Sequence, residues 1–176
     1  MLGARKILTL LTLLLGAVWT ATAEAKDFSD KSTKEMIAVI AKEHPASYYM
    51  LAKRLFQEGQ RDEAVFWFYT GQIRYRARLK THPNLPKDGE PALFGSLSEV
   101  VGRPLNEYAF GDIPKLATII DRALAWDAAN ADPFSPKGEM RDSVRAGLEK
   151  MKADVLARAD EIRATRIKNG LENRTR

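Results

Sequence analysis

Residues 65–76 read Val-Phe-Trp-Phe-Tyr-Thr-Gly-Gln-Ile-Arg-Tyr-Arg, and no other stretch limits the fold as sharply. Gly59 lies upstream and His82-Pro83 downstream, so the spacing predicts one helix from about Asp62 to Lys80. Wound as an α-helix, this stretch puts rings and aliphatic groups on nearly every side instead of along one stripe. That is the pattern of a helix buried nearly all round, and such a helix has to be covered by others.

The remaining sequence supplies them. Ser32-Thr33-Lys34-Glu35 has capping-box spacing, followed by Met36, Ile37, Val39 and Ile40 at helical spacing, and Pro45 stops that helix. A second helix is expected from about Ala46 to Glu58, closed by Gly59. After a loop at 84–90, Pro91 suits the first turn of a short helix carrying Leu93, Phe94, Leu97, Val100 and Val101, which Gly102-Arg103-Pro104 is expected to end. Asp112 caps the next helix, with Pro114 in its first turn, and Asp132-Pro133 and Ser135-Pro136 break the chain again. Met140, Val144, Leu148, Met151, Val155, Ala159 and Ile162 then form one apolar stripe at nearly heptad spacing. This last helix is expected to be the longest, with residues 168–176 as a frayed tail. Strict alternation is missing almost everywhere. The reading is an all-α fold: a single compact domain of about six helices with a long amphipathic C-terminal helix.

The first 25 residues have the parts of a cleavable secretory signal. Arg5 and Lys6 precede the apolar run Ile7–Val18, and the small residues of Ala21-Thr22-Ala23 and Ala23-Glu24-Ala25 suit a signal peptidase. The apolar run is short for a membrane span, which needs about 20 residues. Residues 26–176 are then the mature domain, periplasmic or secreted. The chain has no Cys, so packing alone must stabilise a domain that export would allow to carry disulfides. Lys and Arg outnumber Asp and Glu by 28 to 23, a net charge of +5. In an exported chain that excess suits an acidic protein or an anionic envelope surface better than nucleic acid.

Residues 46–76 resemble a tetratricopeptide repeat, or the related Sel1-like repeat. Tyr48, Leu51, Ala52 and Leu55 fill the first helix, Gly59 falls at the turn, and Ala64, Phe68 and Gly71 occupy the alternating small and large places of the second. Ala52, Ala64 and Gly71 would let the two helices approach. The match departs from the family where Arg76 stands in place of the terminal proline, and a second copy is not obvious, although 113–128 has the look of half of one. The resemblance implies an antiparallel helical hairpin and a protein-binding scaffold.

Sites for chemistry are sparse. A Cys nucleophile is impossible. His44 and His82 each precede a proline and lack metal-ligand spacing. No nucleophile elbow, phosphate loop or dinucleotide fingerprint is present. Neither a cofactor nor a metal is expected. The candidate partner-binding residues are Trp67, Gln72, Arg74, Tyr75 and Arg76, on the most aromatic helix. Two readings of them stay open: a groove in which Arg and Tyr anchor a partner, or a core helix whose arginines snorkel to water. The basic C-terminal stretch, with Arg158, Arg163, Arg166 and Lys168, reads either as a weak membrane-surface contact or as a solvated face favourable to the helix dipole. The functional expectation is a non-enzymatic exported protein-binding domain, either an immunity protein neutralising a toxin or an envelope assembly factor. The alternative is a small envelope hydrolase drawing carboxylates from separate segments such as Glu58, Glu63 and Asp112.

Overall fold

The computed structural model describes residues 28 and 30–175; the expected leader lies outside them. The described residues form α1 (Thr33–Val39), a 3-10 turn (Ile40–Lys42), α2 (Ala46–Gln57), α3 (Arg61–Thr81), α4 (Glu90–Leu97), a π turn (Ser98–Gly102), α5 (Arg103–Ala109), α6 (Ile113–Ala129), α7 (Glu139–Ala157) and α8 (Ala159–Lys168). The fold is all-α, with no strand among the described residues. None of the described helices is long and apolar enough to cross a membrane.

Local chemistry accounts for many of the boundaries. Ser32 and Glu35 close a reciprocal capping box on α1. Gly59, at φ 80°, ends α2 in a Schellman motif: its N–H donates to Phe56 O, and the N–H of Gln60 donates to Leu55 O at 2.9 Å. Asp112 caps α6 by accepting from the N–H of Lys115 at 3.0 Å.

α3 is the centre of the molecule, flanked by α2, α5, α6 and α7. Every residue from Ala64 to Tyr75 is buried, and so is Ala77. α2 and α3 form a tightly packed antiparallel hairpin. At Gly71 an added Cβ would lie 2.6 Å from Tyr48 Cβ, so the helices approach closely there. Edge-on ring pairs knit the core, among them Tyr49–Phe68 at 5.6 Å and Trp67–Trp126 at 5.1 Å, each worth about 0.5–1.5 kcal/mol beyond its buried area.

Three features differ from the sequence reading. Gly102-Arg103-Pro104 does not end a helix; one helix runs unbroken from Glu90 to Ala109. Pro104 has no N–H to give to the carbonyl of Val100, and its ring would collide with that carbonyl in a regular α-helix. The wider π turn at Ser98–Gly102 absorbs both defects. Secondly, the C-terminal helix breaks at Arg158 (φ −107°, ψ 20°) into α7 and α8, so α3 is the longest helix instead. Nothing in the local sequence marks that break, because the apolar stripe keeps its phase across it. Thirdly, the tail is docked. Arg174 donates its N–H to Gly111 O at 2.7 Å and lays its guanidinium 3.6 Å over the Tyr108 ring, while the carbonyl of Glu172 accepts from Arg166 Nη2 at 2.7 Å.

Candidate functional site

The five sequence-selected residues do not share one surface. Trp67 is a core group, ringed by Phe66, Tyr48 and Trp126 at 4.7, 6.0 and 5.1 Å. Tyr75 is fully buried, its ring edge-on to His44 and its hydroxyl donating to Glu90 O at 3.4 Å. Arg74 does not snorkel; it is 0% exposed. Its Nη1 donates to Ala41 O at 2.9 Å, its Nη2 donates to the carbonyls of Asn130 and Ala131, and its Nε faces Asp127 Oδ1 at 3.4 Å. Asp127, also 0% exposed, takes further bonds from Arg141 (2.6 Å to Oδ1) and Arg145 (2.8 Å to Oδ2). One buried carboxylate thus gathers three arginines and ties α3, α6 and α7 together. Trp67, Arg74 and Tyr75 are therefore corrected from partner anchors to structural residues.

Gln72 and Arg76 lie elsewhere on α3, along a groove of about 660 Å³. The α4–α5 helix and α7 both rest on α3 and leave this space between them. Its lining is mainly apolar: Phe68, Ile73 and Leu79 of α3, Phe94 of α4, and Leu148 and Met151 of α7. The only charged lining residues are Arg76 and Lys80. Arg76 is exposed, its Nε donating to Gln72 Oε1 at 2.8 Å and its guanidinium 5.2 Å over Phe94. Lys80 donates to Ser143 Oγ at 2.9 Å. Neither cation is paired with a carboxylate among the described residues.

The contacts fix the groove's direction. Lys80 meets Ser143 at one end. At the other, Tyr69 donates to Asn106 Oδ1 at 3.0 Å, beside Phe110 and Met151. A second cleft lined by Ile162 and Leu171 shares Ser98, Asn106 and Phe110 with the first. Its cations are occupied: Arg103 pairs with Glu99, Arg158 with Glu161 at 2.7 Å, and Arg166 with the tail.

Other titratable groups have structural work. The N–H of Ala46 donates to His44 Nδ1 at 3.2 Å, which leaves Nε2 as the protonated nitrogen facing Glu90 Oε2 at 3.3 Å. Burial pushes the His44 imidazole below its ordinary 6.5, against the pull of Glu90. Burial acts to raise the Glu90 carboxyl, but the bidentate Arg78, at 2.5 and 2.6 Å, and His44 outweigh it and hold it low. Glu58 accepts from Thr33, Glu63 is clasped by Arg122 at 2.6 and 2.7 Å, and Asp112 caps α6. These three carboxylates line no common cleft. Among the described residues no three of His, Cys, Asp and Glu are grouped as metal ligands.

Sequence reasoning missed Lys80, Phe94, Asn106 and Met151, because the groove is assembled from four helices far apart in the chain. The one local signal was Arg76 and Lys80, four apart and so on one helix face.

No family model matches the chain. No solved structure matches it. A protein of Haemophilus influenzae (strain ATCC 51907 / DSM 11121 / KW20 / Rd), described as an uncharacterized protein, is 38% identical over 86 residues, a match covering 49% of this chain and 33% of that protein. The chain is thus similar to a segment about a third of that relative's length.

Proposed function

We propose that this protein is a non-catalytic helical binding domain that works outside the cytoplasm, with an envelope or toxin protein as its partner. One observation carries the reading: an open apolar groove ends in two cations, Arg76 and Lys80, that no carboxylate of the described chain neutralises. Cations left unneutralised beside apolar surface favour an acidic apolar contact over water. The α2–α3 hairpin, similar in pattern to a tetratricopeptide or Sel1-like repeat, supplies the scaffold, and the apolar leader with its Ala-x-Ala sites supports export. The carboxylates offered for a hydrolase are dispersed and engaged, which weighs against that alternative.

Two experiments test this reading. The mature N-terminus should fall at Glu24 or Lys26; intact Met1 on most of the protein overturns the export. Capture from envelope extract should recover a protein with the wild type and lose it with Arg76→Glu and Lys80→Glu. Equal recovery with both folded variants overturns the binding surface. A toxin gene beside this one would assign the immunity role, and an envelope-assembly operon the other.

A further inference from the structure

We infer that the groove interior holds a single-chain anionic amphiphile, a free long-chain fatty acid, with its carboxylate between Arg76 and Lys80. The inference rests on reading the groove as a binding surface and goes beyond it by naming what enters.

Length and lining favour the occupant. On α3 the lining runs from Phe68 to Lys80, about 18 Å at the rise of an α-helix. The backbone N–H and C=O groups of an extended peptide would face Phe94, Leu148 and Met151 without partners there, at a desolvation cost that apolar contact does not repay. Several acceptors of the lining are engaged already: the Asn106 side-chain carbonyl accepts from Tyr69, that of Gln72 from Arg76 and the Ser143 hydroxyl from Lys80. An alkyl chain has no polar groups to satisfy. One membrane leaflet's hydrocarbon is about 15 Å deep, so one lipid chain matches the groove in length.

Charge sets the orientation. Arg76 and Lys80 are one turn apart on α3 at the end where Ser143 sits, and the lining beyond them toward Phe68, Phe110 and Met151 is free of charge. A carboxylate held there by charge-assisted hydrogen bonds would send its chain down the apolar trough.

The test is equilibrium dialysis of the purified protein with palmitic acid below its aggregation concentration. Methyl palmitate and octanoic acid serve as comparisons. Saturable binding of one palmitate per chain is expected. Removing the charge as the ester should weaken it about tenfold or more. Each lost methylene costs about fourfold, so octanoate should bind at least about a hundredfold more weakly. Arg76→Gln with Lys80→Gln should match the ester's loss. Gly147→Trp fills the trough, since Gly147 lines it and its Cβ position has nothing within 4 Å, and should abolish binding while leaving the circular dichroism unchanged. No saturable palmitate binding by the wild type overturns the inference, as does binding that is indifferent to charge and to Gly147→Trp. If palmitate fails but protein capture still needs Arg76 and Lys80, the proposed function stands and this inference falls. If palmitate binds as expected and capture ignores those residues, the reverse holds.

Discussion

Arg74 and Arg76 stand two residues apart on the same helix and live in opposite worlds. Arg74 is sealed between α3, α6 and the 130–131 loop, with every guanidinium nitrogen engaged and a buried carboxylate beside it. Arg76 looks across the groove toward Phe94 and shares only a glutamine. The difference teaches which cations a fold has consumed and which it leaves for others. On the sealed side charge is spent on holding helices together; on the groove side it is available.

The sharpest way to break that comparison is to remove the carboxylate. Asp127→Ala would leave Arg74 and Arg141 buried without a counter-charge and should cost about 3–5 kcal/mol, read from denaturant midpoints. Arg76→Ala should stay within about 0.5 kcal/mol. Equal losses would mean that the two sides are not distinct. A smaller contrast uses two glycines. Gly71→Ala drives a methyl toward Tyr48 Cβ, 2.6 Å away, and should destabilise by about 1–3 kcal/mol. Gly147→Ala, on the open side with free space around it, should stabilise by about 0.5–1 kcal/mol through helix propensity. Calorimetric Tm values of both variants check the pair.

The smallest effect expected is a pH dependence. His44 has a folded pKa below its unfolded value of about 6.5, so the unfolded state takes up its proton first. Stability should be full above about pH 7 and fall as pH drops through 6.5 toward the folded pKa. Glu90, also depressed in the fold, adds a second loss below about pH 4.5. Midpoints between pH 8 and 5 should show the first step in the wild type and not in His44→Gln. A flat profile in the wild type would detach His44 from the fold's stability.

Much of this architecture was legible because its signals are local. The all-round apolar character of 65–76, the Ser32 box, the Gly59 stop and the Asp112 cap act within a few residues of themselves, and the helices fall where they indicate. What was illegible is what depends on partners far along the chain. Arg74 and Asp127 are 53 residues apart, and nothing around either announces the other, so an arginine on an aromatic helix read as an anchor. The groove is equally nonlocal: Arg76 was named from its helix face, but the walls that make it one end of a trough come from α4, α5 and α7. Pro104 misled for a different reason. Its rule is sound for a regular helix, and this helix changes its winding to keep it.

That change of winding has a consequence for sequence length. A π turn holds one residue more than the helical phase needs, so the segment 98–102 carries a residue that a regular helix would omit. Deleting one there would let regular winding resume with Leu105 and Ala109, both buried, still in phase, but it would set the Pro104 ring against a carbonyl of the preceding turn. The loop at 82–89 tolerates insertions and deletions on ordinary grounds of exposure. Between Glu90 and Ala109 the chain has freedom of one kind only: related chains that share this groove should lose a residue at 98–102 only where Pro104 is replaced as well.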